Sequence, residues 1–186
     1  MSVLILPTCP TGCDTGLPAV DFDICAPELH FGEIEKIYIA AGDADDFTNV
    51  EDLTEWTTRL SETKFVTGNE IRELTVIGDL PEPEQTEQTI SGDRTVVGFK
   101  QFTLNFSIDE TNDVNYNFLL TLECNIAFKF WYETADGMLY GGNEGITATL
   151  RVNQVIPRDR NEYVTFVGTA KWKSRTSPLR CVSPMA

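Results

Sequence analysis

Apolar and polar residues alternate in three stretches of the second half of the chain, residues 96–108, 145–152 and 162–173. Side chains on a β-strand point alternately to opposite faces, so this alternation predicts strands with one buried and one solvated face. Such strands are typical of an antiparallel sheet that packs one face on a core. The first stretch is the clearest, and its predicted buried face is Phe102, Leu104, Phe106 and Ile108.

Three further stretches, residues 34–40, 71–77 and 126–133, also predict strands. The last of them places Trp131 on the face opposite its phenylalanines. The Asp136-Gly137 pair that follows is a strong signal for a hairpin turn.

Two stretches have helical spacing. Residues 112–124 predict the dominant helix, with Asn112 or Asp113 as its N-cap. Residues 49–60 predict a shorter helix that begins near Asn49, although its threonines weaken it. The apolar stripes are Val114, Phe118 and Leu122 in the first helix and Leu53, Trp56 and Leu60 in the second.

The order of these elements predicts a mainly β fold. Because the dominant helix is inserted between strands and does not alternate with them, a parallel βαβ architecture is excluded. We expect an antiparallel β-sandwich or partly rolled barrel with one packed α-helix, formed by a single β-rich domain at residues 31–173. Residues 1–30 predict an extended N-terminal segment, and residues 174–186 a basic C-terminal tail.

A polar stretch, residues 79–95, separates two of the predicted strands and contains Glu82, Glu84 and Glu87. Its position between strands makes it the tip of a long hairpin, or a loop, more readily than a linker between domains. We therefore expect a projecting arm. The alternative is a solvated loop without fixed structure.

The formal net charge of −15 is distributed unevenly, since residues 1–100 hold 20 acids and 6 bases whereas residues 101–186 hold 9 and 8. A strongly acidic body repels nucleic acid, which argues against a DNA-binding protein. No stretch is long and apolar enough for a membrane span, and the first residues lack the basic start of a secretory signal. Five cysteines in a chain of this size favour reduced thiols in a cytosol.

No catalytic site is evident, and we expect no cofactor. His30 is the only histidine, and no nucleophile motif accompanies it. Cys9, Cys13, Cys25 and His30 offer zinc-compatible ligands, but their spacing is irregular, so free thiols are the simpler interpretation. Carboxylate pairs such as Glu123 and Glu133 are expected by chance among 29 acids. Trp131 and Trp172, interpreted as exposed, favour either sugar stacking or packing on another subunit.

Several of these stretches, taken in order, carry a family resemblance: VVGFKQFTLNFSI, the helix DVNYNFLLTLECN, IAFKFWYETADGMLYGGNEGI and YVTFVGTAKWK. This order of strands and helix resembles the tail tube (major tail) proteins of tailed bacteriophages. The resemblance implies a virion protein, made in the host cytoplasm, whose hexameric rings stack head to tail into a hollow tube through which DNA passes without specific binding. Its partners would be copies of itself and other virion proteins.

Under this hypothesis the acidic arm and the basic residues near the C-terminus form the contacts between subunits. We expect these two groups on opposite sides of one subunit, as a heterologous contact requires. The predicted interface residues are Glu82, Glu84, Glu87, Arg94, Lys171, Lys173, Arg175 and Arg180. The alternatives are a head-decoration or head-to-tail joining protein, and a carbohydrate-binding β-sandwich module.

Overall fold

The computed structural model describes residues 29–30, 32–61, 68–90, 94–123, 127–159 and 161–185. Two helices and nine strands occur in this part of the chain. In chain order they are β1 (Ile34–Ala41), α1 (Leu53–Ser61), β2 (Ile71–Asp79), β3 (Glu84–Ile90), β4 (Arg94–Ile108), α2 (Asp113–Leu122), β5 (Ala127–Thr134), β6 (Met138–Tyr140), β7 (Ile146–Val155), β8 (Thr165–Ser174) and β9 (Arg180–Val182).

The sheet is antiparallel and closes on itself. Its strands follow the order β1-β2-β4-β8-β7-β5, and β5 then pairs with β1, so that six strands form a barrel. The other three strands extend the sheet: β3 pairs with β4, β6 pairs with β5, and β9 pairs with β6. The predicted mainly β class, with a partly rolled barrel and a packed helix, is confirmed.

The two ends of the barrel differ. At one end β1 begins, β2 and β5 end, and β8 ends at Ser174; at the other, α2 joins the end of β4 to the start of β5. We call these the arm end and the helix end.

The inner core fills the barrel. The predicted buried faces of β4, β7 and β8 are buried, as the cross-strand row of Leu104, Ala170 and Leu150 illustrates. Phe102 and Trp172 stack with ring centroids 5.1 Å apart, which places the Trp172 indole inside the barrel. Burial of this apolar surface is the main stabilising contribution to the barrel.

Helix α2 packs on the inner core at the helix end. The Asn112 side chain accepts hydrogen bonds from the backbone N–H groups of Val114 and Asn115, so Asn112 is the N-cap. Leu119 and Leu122 are the buried residues of the helix. Val114, which belongs to the apolar stripe read from the sequence, is exposed, because it lies roughly 110° around the helix axis from that buried face.

A second core, the outer core, lies outside the barrel against β1, β2, β5 and β6. It contains Tyr38, Ala40, Ala44, Phe47, Val50, Trp56, Ile71, Trp131, Leu139 and Cys181. Strand β5 is therefore buried on both faces from Phe130 to Glu133, since one face lines the barrel and the other supports the outer core. The prediction that Trp131 is exposed is wrong, because its accessibility is 0%.

Helix α1 covers the outer core. Its N-terminus is capped by Asp52, which accepts from the Thr54 N–H, and not by Asn49, whose side chain instead accepts from the Glu51 N–H. Near the other end of the helix, Arg59 is buried, donates to the carbonyl oxygens of Asp45 and Asp46, and lies over the Phe47 ring. These bonds attach the acidic loop after β1 to the helix.

The loop between β6 and β7 is shaped around Trp131. The Trp131 indole N–H donates to the Gly142 carbonyl oxygen at 2.8 Å. Gly145 has φ +69°, and a Cβ placed there would lie 2.7 Å from Cζ2 of Trp131. Glycine is required at position 145 both for its backbone conformation and for the close approach of the ring.

We expect Gly145→Ala to lower the free energy of unfolding by at least about 2 kcal/mol, because left-handed strain and overpacking add. Gly68→Ala is the matched control: Gly68 has φ +76° but no atom lies within 4 Å of its Cβ position. Urea denaturation should show a clearly larger loss for Gly145→Ala. Equal losses would contradict the packing of Trp131 against this loop.

The last strand returns the chain to the outer core. The prediction of a basic tail from residue 174 onward did not anticipate that Arg180–Val182 forms β9 and that Cys181 is buried. Burial raises the pKa of the Cys181 thiol to about 11, and the charge of Glu51 adds to the rise.

Because the folded protein holds the Cys181 proton more tightly than the unfolded chain does, stability from this thiol is present below about pH 9 and is lost toward pH 11. We expect a loss of roughly 1.4 kcal/mol per pH unit in this window from this one group. Denaturation curves between pH 8 and 11 should show a shallower decline for Cys181→Ala than for the parent protein. Parallel curves would contradict the burial of the thiol.

Candidate assembly surface

No group of three or more histidine, cysteine, aspartate and glutamate side chains is arranged to hold a metal ion in the described ranges. Cys9, Cys13 and Cys25 of the proposed zinc set lie outside those ranges. His30 is described, and its Nδ1 lies 2.7 Å from Oδ2 of Asp136. The same carboxylate accepts from the Thr134 hydroxyl, which is the main reason that the pKa of Asp136 is lowered, with His30 contributing. This contact joins the N-terminal segment to the β5–β6 turn.

A buried carboxylate, Glu133, has partners that suggest structure more than catalysis. It accepts hydrogen bonds at 2.9 Å from the hydroxyl groups of Tyr38 and Ser183. Burial, with the nearby Glu133 charge, raises the pKa of Tyr38, so the phenol stays protonated and remains a donor. The triplet connects β1, β5 and the residue after β9. Glu123, the other half of the carboxylate pair considered above, follows α2 at the helix end.

The predicted arm is part of one long hairpin. Residues Ile77–Asp79 pair with Asn105–Ser107 of β4, and after the interruption of Leu80–Pro83 the chain pairs again with β4 as β3. Pro81 and Pro83 lack an N–H group, which accounts for the interruption. The prediction that the acidic stretch belongs to a long hairpin therefore agrees with the pairing, and Glu84–Ile90 is a strand and not an irregular loop.

The distal part of this hairpin extends beyond the barrel at the arm end. Lys100 is the first residue of β4 that has a partner on β8. The six residues Arg94–Phe99 pair with β3 alone within the described part of the chain, and they span about 20 Å. We call Glu84–Phe99 the arm. Arg94 begins β4 opposite Ile90.

The outer edge of β3 carries unpaired backbone groups, since β4 is its only strand partner among the described residues. Glu82, Glu84 and Glu87 are exposed along this stretch. Charged residues are a common device that keeps an edge strand from pairing indiscriminately. An open edge of this length is suited to contact with another chain.

A cationic face lies beside the base of the arm, on the outside of β7 and β8. Arg151, Lys171 and Lys173 are exposed there. Cross-strand register places Thr149 opposite Lys171, and Thr169 opposite Arg151. These residues, with Gln101 of β4, line a shallow depression of about 420 Å³. We define the cationic face as Gln101, Thr149, Arg151, Thr169, Lys171 and Lys173.

The register also relates the acidic arm to the basic residues. Glu84 is opposite Gln101, and Gln101 is opposite Lys173, so the three residues lie in one row on the same face of the sheet. From the sequence we expected the acidic residues of the arm and the basic residues of β8 on opposite sides of the subunit. At the base of the arm this expectation is wrong, because the two groups lie side by side. The long β4 strand carries β3 on one edge and β8 on the other, which brings them together.

Arg175 and Arg180, the remaining basic residues of the predicted interface on this side of the chain, lie outside the cationic face. The Arg175 guanidinium lies over the Phe99 ring, 5.1 Å from its centroid, so it supports the base of the arm. Arg180 begins β9, which pairs with β6 and not with β4 or β8. Neither tryptophan offers a surface for sugar stacking, because both Trp131 and Trp172 are buried.

Arg151 is a cationic-face residue that the sequence analysis did not select. Its position on the polar side of a predicted strand was a usable signal, but its proximity to the basic residues of β8 depends on strand pairing.

No protein-family model and no curated protein matches the sequence. None of the helices in the described part of the chain is long and apolar enough to cross a membrane.

We expect Arg175→Gln to loosen the base of the arm, since a cation–π contact at an exposed site contributes about 0.5–1 kcal/mol. Hydrogen exchange of the amides near Phe99 should become roughly two- to fivefold faster. Arg180→Gln, which removes the same charge on β9, is the control and should leave these amides unchanged. The same exchange rates in both variants would contradict a role of Arg175 at the arm.

Proposed function

We propose that the chain is a structural virion protein that assembles into stacked rings and forms the tail tube of a tailed bacteriophage. The observation that carries this proposal is the arm: a two-stranded ribbon that leaves the barrel, has none of its described side chains in the inner core, and presents an open strand edge. The open edge of such a ribbon can pair with a strand of another subunit, which would satisfy its unpaired backbone groups.

The closed barrel favours such a role for the arm. The six barrel strands pair around a closed path without a second chain, although β2 and β4 are joined only through Ile77–Asp79 and Asn105–Ser107. Subunits can then add to one another through β3 and its exposed side chains without unfolding any part of the core. Repetition of the same contact around a ring supplies strength, because individual exposed ion pairs contribute only about 0–1 kcal/mol.

A basic cluster at the arm end is locally complementary to the acidic helix end. The loops at the helix end expose many acids and, among their described residues, one base, Arg158. The arm end exposes Lys173 and Arg175, but it also exposes Asp79, Glu82, Glu84 and Glu87. The basic cluster, and not the arm end as a whole, is therefore suited to a heterologous contact with the acidic loops of the next ring. The exposed acids of the helix-end loops are Asp43, Asp45, Asp46, Asp109, Glu110, Asp159 and Glu162.

The charge distribution is also compatible with passage of DNA. With a formal net charge of −15, most of the surface repels a phosphate backbone. The cationic face is the exception, and it would retain DNA if it lined the channel. In the proposed tube this face therefore points away from the lumen or is covered, and acidic surfaces line the wall.

The alternative virion roles, head decoration or joining of head to tail, require a closed ring or a trimer and not a filament. The burial of both tryptophans removes the observation that favoured a carbohydrate-binding module.

The test is removal of the arm. Residues 86–99 are replaced by an Asn-Gly turn, which joins Gln85 to Lys100, two residues that already lie opposite each other, and leaves every residue that pairs with β8 in place. We expect the purified parent protein to form tubes as its concentration rises in negative-stain microscopy, and the shortened protein to remain a folded monomer with unchanged circular dichroism.

Tubes formed by the shortened protein would show that the arm is not the assembly element. Closed rings from the parent protein would favour a joining role. A parent protein that stays monomeric at every concentration would overturn the proposed function.

A further inference from the structure

Strand β2 is longer than its contact with β4. Strand β1 pairs with one edge of β2 from Ile71 to Gly78, whereas β4, which ends at Ile108, pairs with the other edge only at Ile77–Asp79. Among the described residues, no strand lies along Ile71–Val76 on the side away from β1. These residues form a second open strand edge, about 20 Å long, which we call the β2 edge.

The β2 edge and the open edge of β3 lie at opposite ends of the barrel. Strand β2 begins at the helix end, where Ile71 is opposite Ala40 near the end of β1. Strand β3 extends beyond the arm end, past the last residue of β8, Ser174. When the helix end of one subunit faces the arm end of another, the β2 edge of the first can therefore meet the arm of the second.

The two edges also face opposite ways around the sheet. Strand β8 occupies one side of β4, so β2 and β3 both lie on its other side. The open edge of β3 faces away from β4, whereas the β2 edge faces the side on which β4 lies. A heterologous contact requires this arrangement, because each subunit then offers one edge and receives the other.

We propose that the open edge of β3 pairs with the β2 edge, Ile71–Val76, of a second copy of the chain. This inference rests on the proposed function, since it names the surface that receives the arm. Strand β3 has seven residues and the β2 edge has six, so their lengths match. Both strands run toward the arm end, so subunits that stack head to tail pair them in parallel. The pairing satisfies backbone groups that each subunit alone leaves open.

Charges beside the two edges support this pairing. Asp45 and Asn69 are joined by two hydrogen bonds, so the acidic loop after β1 lies beside the start of the β2 edge. Lys173 and Arg175 lie beside the base of the arm, where β3 begins. Parallel pairing places the start of the β2 edge next to the start of β3. It therefore brings the acidic loop of one subunit to the basic residues of the other.

Three other open edges fit β3 less well. Pairing of β3 with β3 of a second copy would bring the glutamates of two arms together, whereas the β2 edge contains one base, Arg72, and one acid, Glu73. The outer edge of β9 has only three residues, Arg180–Val182. The edge of β7 beyond Thr149, the last residue that pairs with β5, is contacted by α2.

Hydrogen exchange in mixtures of the parent protein and the arm-shortened protein tests this pairing. The shortened protein keeps β2 and lacks the arm, and isotope labelling distinguishes its peptides. In an excess of parent protein, the amides of Ile71–Val76 that point away from β1 in the labelled protein should exchange about tenfold more slowly. The matched control is the same excess of unlabelled shortened protein, which should leave these rates unchanged. Equal rates in the two mixtures would overturn the pairing.

The same measurement on the parent protein alone, assembled and monomeric, needs no variant and separates this pairing from tube formation. Tubes in which the Ile71–Val76 amides exchange as fast as in the monomer would overturn the pairing and leave the proposed function standing. Slow exchange at these amides in short oligomers that never become tubes would support the pairing and overturn the tube. A parent protein that stays monomeric would overturn both.

Discussion

The pairing of β5 with β1 is the interaction on which the rest of the structure depends. It runs from Ile34 opposite Thr134 to Ala41 opposite Phe128, and it converts an open sheet into a closed barrel. Closure gives β5 two buried faces, one toward the inner core and one toward the outer core. The buried hydrogen bond from Tyr38 to Glu133 spans the same two strands and satisfies a carboxylate that burial would otherwise destabilise.

Closure also determines which strand edges remain open. The strands of the barrel pair around a closed path, while the hairpin made by β3 and the first part of β4 continues beyond them. The long β4 strand is thus shared between two roles, since its second half lines the inner core and its first half carries the arm. Arg175 over Phe99 lies at the junction of the two halves. The proposed assembly role follows from this division between a closed barrel and a two-stranded ribbon whose outer edge is open.

The sequence was sufficient for strands with one solvated face. Strands β4, β7 and β8 alternate clearly, and their buried sets agree with the alternation. The dominant helix and its Asn112 cap were predictable for a similar reason, because capping is a local interaction. The Asp136-Gly137 turn between β5 and β6 is local as well.

The features that could not be predicted from the sequence depend on contacts between residues that are distant along the chain. Trp131 alternates as a solvated residue would, and nothing near it in the sequence reveals that α1 and the loop after β6 cover it. Strand β3 consists largely of polar residues, and β9 has only three, so each is recognisable only through its partner strand. The predicted set of basic residues lacked Arg151 for the same reason, because Arg151 lies beside Lys171 and Lys173 only when β7 pairs with β8.

The central claim is that the open edge of β3 is where subunits meet. Electron cryomicroscopy of the particles that the full-length protein forms tests this most directly, because it shows the surroundings of every strand edge. The account predicts that Glu84–Ile90 of each subunit is buried against a neighbouring subunit in a tubular assembly. An assembly in which this edge faces solvent, with contacts made elsewhere on the barrel, would contradict it.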